Sequence, residues 1–266
     1  MPDTPTLSDL ENLARQAGEI LRQHFERRPG FGRPLQVAYK GLIDPVTEAD
    51  HLSDAFLLGE ITRRFLGHRV VTEESGQLEG HDCCQWFIDP LDGTVNYAHG
   101  VPFFAVSIAY AEDGDIRLGV VYDPMQDECF SAERGRGAWL NGEPIRVSQT
   151  DDLDRSLLTT GFPYSIRTTS LNNLDNFARL SLLSQSVHHD GSAAMDLCYV
   201  AAGRYDGYWE LKLGIWDVAA GALIAREAGA VVTDMQGGQG YLQPPHAVLA
   251  ANPAIHPRLL EILRWE

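Results

Sequence analysis

The run Asp89-Pro90-Leu91-Asp92-Gly93-Thr94, directly after the strand-like Trp86-Phe87-Ile88, constrains this chain more than any other feature. An apolar strand that runs straight into two carboxylates and a hydroxyl must set charged oxygens at the edge of a core. Pro90 fixes φ and Gly93 permits a conformation that other residues resist, so both acids and the Leu91 carbonyl can face one point in space. Oxygen donors of this hardness suit Mg²⁺ better than zinc or copper. Asp-Pro and Asp-Gly are also ordinary turn dipeptides, and taken alone the run reads as a structural turn.

Two further acidic clusters can complete a cation site. Val70-Val71-Thr72 reads as a buried strand ending in Glu73-Glu74-Ser75-Gly76, and Trp216-Asp217 opens an Ala/Leu/Ile-rich helix that runs to Glu227 and stops at Gly229. Singly, Glu73 reads as a solvated acid after a strand and Asp217 as a first-turn acid complementing the helix dipole. Jointly, carboxylates gathered near a core boundary repel one another by on the order of 4 kcal/mol per pair at ~4 Å, a large share of a domain's stability. A divalent cation resolves that conflict.

The 266 residues suffice for a substantial core, as one large domain or two intimate halves, and the 44% hydrophobic content is that of a globular protein. A net charge of −16 argues against a nucleic-acid or anionic-membrane partner, since affinity there comes from Lys and Arg neutralising phosphates. Any phosphate-handling site must then borrow its positive charge from bound cations. Cys83, Cys84, Cys129 and Cys198 show neither CxxC spacing nor the density of a disulfide scaffold, and read as reduced core or strand residues. No stretch has the form of a signal peptide or approaches the ~20 apolar residues of a membrane span, so a soluble cytoplasmic protein is expected.

Ser8-Asp9-Leu10-Glu11 has the form of a capping box for a first helix to about His24. Thr47-x-x-Asp50 applies the same logic to a second helix through Phe65, with Asp50 either capping its first turn or serving catalysis. Ala105–Tyr110 and Ile116–Tyr122 read as strands joined at Asp113-Gly114, followed by a strand over 128–131. Trp139-Leu140 and Ile145-Arg146-Val147 flank Asn141-Gly142 as two more. Gln149 to Asp154 is the candidate seam between an N-terminal half (about 1–150) and a C-terminal half (about 151–266). Beyond it come a strand over 156–160, helices near 172–183 and 192–202, a strand over 205–209, the Trp216 helix, and late strands at Val231-Val232 and Val248–Ala250. Pattern alone implies mixed α and β.

These motifs resemble the inositol monophosphatase family of Mg²⁺-dependent phosphatases, related more distantly to fructose-1,6-bisphosphatases. One signature runs from Phe87 through Asp89-Pro90-Leu91-Asp92-Gly93-Thr94 to Asn96-Tyr97 and His99, and a second from Trp216-Asp217 to Ala228-Gly229-Ala230. Asp44–Asp50, Glu73–Gly76 and Gly191–Ala194 add echoes, so the likeness covers nearly the whole chain in order. It implies a single domain over 1–266 with the five-layer αβαβα sandwich of the sugar-phosphatase type. It implies two or three Mg²⁺ ions, one held by Glu73, Asp89 and the Leu91 carbonyl and a second by Asp89, Asp92 and Asp217. Asp50 and Thr94, with Glu73, would prepare the attacking water. The Gly93 and Thr94 amides would hold phosphate oxygens, and Gly191, Ser192, Ala193 and Glu210 would contact the alcohol. Lys40 matches a lysine near the site in relatives, whereas an isolated lysine before glycine is more often a surface charge. A homodimer and inhibition by Li⁺ are further implications of the resemblance.

The expected function is hydrolysis of inositol monophosphate or a similar small phosphorylated polyol or sugar. Histidinol phosphate, fructose 1,6-bisphosphate and 3′-phosphonucleotides stand as alternatives, as does a non-catalytic regulatory or interaction role. His188-His189-Asp190 replace arginines found in many relatives just before Gly191, which weakens the case for a second phosphate; the two histidines read as surface residues rather than ligands. Lys212, Leu213, Gly214 and Ile215 also depart from the family between Glu210 and Trp216, so the alcohol-binding wall does not transfer.

Overall fold

The computed structural model describes residues 4–26 and 37–264. Its elements are, in order, α1 (Leu7–Glu26), β1 (Val37–Tyr39), β2 (Pro45–Thr47), α2 (Glu48–Arg64), β3 (His68–Thr72), β4 (Gly76–Leu78), β5 (His81–Asp92), α3 (Thr94–His99), β6 (Ala105–Glu112), β7 (Asp115–Asp123), β8 (Glu128–Glu133), β9 (Gly137–Leu140) and β10 (Glu143–Pro144). The chain continues with β11 (Leu157–Thr160), α4 (Leu174–Ser181), β12 (Ser186–His188), α5 (Ala193–Ala201), β13 (Gly207–Glu210), α6 (Ile215–Glu227), β14 (Val231–Thr233), β15 (Val248–Ala251) and α7 (His256–Ile262). A small ribbon pairs β1 with β2. An eight-stranded sheet runs β10-β9-β8-β7-β6-β5-β3-β4, and a five-stranded sheet runs β12-β11-β13-β15-β14.

Three apolar clusters order these pieces into layers. Leu10, Leu13, Ala17 and Leu21 of α1 and Leu57 and Ile61 of α2 pack with Trp86, Ile88, Ile108 and Val120 on one face of the large sheet. The other face of that sheet, with Ala109, Val121 and Phe130, closes on α5 and α6, which also meet Tyr208 and Ala250 of the small sheet. Beyond it, α4 and α7 cover the remaining face through Leu180, Leu259 and Trp209. The result is the αβαβα sandwich. Helices α5 and α6 are apolar on nearly every side because they lie between two sheets. Close packing there needs small residues: a Cβ on Gly221 of α6 would lie 2.7 Å from the Leu197 Cβ of α5, and one on Gly119 of β7 would lie 2.9 Å from the Ala220 carbonyl oxygen.

Local expectations fared unevenly. The Thr47 cap of α2 is a complete capping box with Asp50, and both the Asp113-Gly114 and Asn141-Gly142 hairpins form. The first helix instead begins at Leu7 and ends at Glu26. Its box joins Thr6 to Asp9, with the Thr6 amide 2.9 Å from Asp9 Oδ2 and the Asp9 amide 3.2 Å from Thr6 Oγ1, so the Ser8 and Glu11 pair lies inside the helix. The expected strand at Ile145-Arg146-Val147 does not form. The short β10 ends at Pro144, and after the Ile145 amide bonds to the Ala138 carbonyl the chain leaves the sheet toward the second one. No helix among the described residues is long and apolar enough to cross a membrane.

Candidate active site

The Asp89–Asp92 run is not a loop turn, as its dipeptides suggested, but the last stretch of β5. Asp89 pairs with Ser107 and Asp92 with Ala105 on β6, and the bulge between them holds Pro90 and Leu91. Bulges bend a strand and re-aim its side chains, and this one delivers two acids to the same strand end. The parallel strand β3 finishes beside it, with the Glu73 amide 3.2 Å from the Ile88 carbonyl oxygen. Asp217, in the first turn of α6, arrives from the middle layer, with its Oδ2 accepting the Gly214 amide at 2.6 Å. Carboxylate oxygens of Glu73, Asp89 and Asp217 thereby lie within 4.8 Å of one another.

Asp92 stands outside that trio. Its Oδ2 accepts the Ser192 hydroxyl at 2.5 Å and the Ala194 amide at 2.8 Å, which ties the end of β5 to the start of α5. The Leu91 carbonyl accepts the Thr94 hydroxyl at 3.0 Å, while the Leu91 amide donates to Asp89 Oδ1 at 2.9 Å. Ser192, expected to touch the alcohol, is thus already engaged in orienting Asp92.

The site carries an unbalanced charge. Burial, then Glu73, Asp92 and Asp217, hold the Asp89 carboxyl well above the ordinary range, and burial with Asp92 and Glu73 does the same to Asp217. Burial raises Glu73 to about 7 despite Lys40, and raises Asp92 to about 6 despite its hydrogen bonds. Lys40 Nζ lies 3.0 Å from Glu73 Oε1 and 2.5 Å from Glu74 Oε1, so the isolated lysine belongs to the site. Asp89, Asp92 and Asp217 have no ion pair with a lysine or arginine among the described residues. Clustered, buried, hard oxygen donors fit a divalent cation such as Mg²⁺, whose charge would replace the protons these acids otherwise retain.

On the flank of this cluster, Thr94 Oγ1 lies 3.2 Å from Asp50 Oδ1, and the other Asp50 oxygen accepts the Thr47 amide at 2.8 Å and the Thr47 hydroxyl at 2.5 Å. Asp50 thus caps α2 with one oxygen and holds Thr94 with the other. Burial, opposed by the Thr47 bonds, brings its carboxyl to about 6. About one turn further along α2, Ser53 and Asp54 brace the neighbouring segments. Ser53 Oγ donates to the Pro90 carbonyl at 2.8 Å, inside the bulge.

Glu73, Asp89, Leu91, Asp92, Thr94 and Asp217 line a cavity of about 640 Å³. Gly191, Ser192, Ala193 and Glu210 all line it. Glu210 is buried, accepts the Tyr208 hydroxyl at 2.7 Å and is raised to about 7 by that burial. Glu210 packs against Gly161 so closely that a Cβ there would force its carboxylate to shift. His188 and His189 are exposed and stand apart from the carboxylate cluster. His189 still borders the cavity, with Nδ1 3.0 Å from the Thr160 carbonyl oxygen. Asn96, Tyr164 and Lys212 join the wall without having been singled out as site residues. Asn96 lay inside the first signature and its amide bonds the Phe103 and Asp190 carbonyls, whereas nothing local marked Tyr164.

Acids clustered at a strand end of a layered sandwich are the donors that cation-assisted phosphoester chemistry uses. A family model described as the inositol monophosphatase family matches residues 4–265, and the chain belongs to that family. Among curated relatives, a protein named Nus factor SuhB from Pasteurella multocida is 45% identical over 251 residues, covering 93% of this chain and 91% of that protein. Its namesake from Escherichia coli strain K12 is 41% identical, covering 98% and 97%. Among solved structures, an inositol monophosphatase from Anabaena is 41% identical with a TM-score of 0.84, covering 95% of this chain and 92% of that one. The extragenic suppressor protein suhB from Bartonella henselae is 38% identical with a TM-score of 0.89, covering 96% of each chain.

Proposed function

We propose that the protein is a Mg²⁺-dependent phosphomonoesterase acting on inositol monophosphate or a similar small polyol phosphate. The observation that carries this reading is the meeting of Glu73, Asp89 and Asp217 within 4.8 Å without a balancing ion pair for either aspartate. In it, two or three Mg²⁺ ions are held by Glu73, Asp89, the Leu91 carbonyl, Asp92 and Asp217. Bound cations at this point supply positive charge to the phosphoryl group and to the attacking and leaving oxygens. Thr94 Oγ1 orients the attacking water and Asp50 Oδ1 takes up the proton passed through that hydroxyl, with Glu73 bordering the same water. The first amides of α3, at Gly93 and Thr94, bind phosphate oxygens, and Glu210 with Gly191, Ser192 and Ala193 faces the alcohol. A cytoplasmic homodimer sensitive to Li⁺ belongs to the same reading.

Phosphate release from inositol 1-phosphate, histidinol phosphate, fructose 1,6-bisphosphate and a 3′-phosphonucleotide tests it. Turnover that vanishes with EDTA and returns with Mg²⁺ is expected, and absence of turnover on the whole panel would refute it. A second reading, a non-catalytic role, is favoured by the name Nus factor carried by relatives. An Asp92→Asn protein that folds, has lost hydrolysis and still fulfils the chain's role in its own cell would establish that second reading. The net charge of −16 continues to argue against direct contact with nucleic acid in either case.

A further inference from the structure

Lys212 is the one lysine or arginine that lines the main cavity among the described residues. It lies between β13 and α6, on the side of the cavity that holds Glu210. Its backbone has φ of +61°, in the left-handed region where a residue with a side chain is uncommon and glycine is at ease. A lysine kept at such a point needs a use for its side chain, because glycine would fit the backbone better. Its Nζ donates to Thr169 Oγ1 at 2.6 Å and makes no ion pair among the described residues. An ammonium group has three donors, so this neutral contact leaves capacity and charge available. The acids on the same side are engaged elsewhere: Asp190 accepts the Tyr205 hydroxyl, and Glu210 accepts that of Tyr208.

From this placement we infer that Lys212 recognises an anionic group, phosphate or carboxylate, on the alcohol portion of the substrate. The inference rests on the phosphomonoesterase reading and adds to it a preference, over neutral polyol esters, for esters whose alcohol is itself charged. It also answers the replacement of arginines by His188 and His189: the fixed positive charge sits on a different loop. Lys212 would act as a specificity residue on the cavity wall, with its ammonium held by Thr169.

Matched esters test it. Initial rates on inositol 1-phosphate and inositol 1,4-bisphosphate are compared for the unaltered protein, Lys212→Gly, Lys212→Arg and Thr169→Val. The unaltered protein should favour the bisphosphate in kcat/KM by roughly tenfold or more, the size of one charge-assisted contact. Lys212→Gly, which suits the backbone, should lose that preference through KM on the bisphosphate alone. Lys212→Arg and Thr169→Val should keep it, since charge survives in both. An equal change on both esters would make Lys212 a loop strut and overturn the inference, as would no preference in the unaltered protein. Calorimetric binding of the bisphosphate, which needs no turnover, separates the two levels. Weaker binding by Lys212→Gly supports the inference even where hydrolysis fails, and equal binding removes it.

Discussion

The hydroxyl of Thr72, at the end of β3, donates to Asp54 Oδ1 on α2 at 2.5 Å, and both residues are buried. Having spent its proton there, Thr72 Oγ1 accepts the amides of Glu74 at 3.2 Å and Ser75 at 3.1 Å. Asp54 thereby sets the turn that presents Glu73, and its other oxygen takes the Ser75 hydroxyl. Replacing Asp54 with alanine should lower stability by about 1–3 kcal/mol through the orphaned, buried Thr72 hydroxyl. It should also raise the Mg²⁺ concentration needed for half-maximal activity several-fold. Urea denaturation and a Mg²⁺ titration check the two effects, and an unchanged Mg²⁺ requirement in a folded variant would show that the turn holds without this brace.

Asp89→Asn separates cation binding from folding. In EDTA the variant should unfold at the same temperature as the unaltered protein or higher, because the cost of burying a carboxyl among other acids disappears. With Mg²⁺ the unaltered protein should gain thermal stability by linkage, and the variant should gain little. Scanning calorimetry with and without Mg²⁺ reads both, and a full Mg²⁺ gain in the variant would remove Asp89 from the ligand set.

The metal-free protein should lose stability as pH rises from about 4 to about 7. Asp50 and Asp92 are raised from 3.8 to about 6, and Glu73 from 4.5 to about 7, so the folded state binds these protons more tightly than the unfolded chain. Stability from a raised pKa is present in full below the unfolded value and is lost as pH climbs through the folded one. Mg²⁺ should flatten this slope by taking the place of the protons. Denaturation midpoints in EDTA across that range would show the fall, and a rise would contradict the proposed charge balance.

Thr94→Ala should reduce kcat by roughly 10²–10⁴, the usual span for losing a positioned proton-transfer group, while Mg²⁺ affinity stays near that of the unaltered protein. Asp50→Asn should follow it in kcat, with an added stability loss because the Thr47 cap weakens. Rate measurements paired with calorimetric Mg²⁺ titration distinguish this from ligand loss, in which affinity falls first.

The carboxylates were readable in sequence because each ends an apolar element, so its address is local: Glu73 after Val70-Val71-Thr72, Asp89 after Trp86-Phe87-Ile88, Asp217 at a helix start. Their convergence within 4.8 Å depends on β3 and β5 running parallel and on α6 lying between two sheets, which no local pattern states. The layered architecture came from family likeness, since burial of α5 and α6 on both sides leaves no periodic stripe to read. The first helix cap was misplaced because Thr6/Asp9 and Ser8/Glu11 offer the same spacing two residues apart. Asp54 was invisible for a different reason: it acts only through Thr72 and Ser75, distant in the chain.

The Asp92–Ser192 bond joins a strand of the large sheet to the helix layer that leads into the small one. Around the cavity, Glu73, Asp89 and Thr94 come from the large-sheet side, and His189, Glu210, Lys212 and the loop of Gly161 to Tyr164 from the small-sheet side. Descendants of such a gene can therefore exchange the small-sheet side and adopt new esters while inheriting the large-sheet side intact, so hydrolysis and taste for substrate are free to evolve at separate speeds.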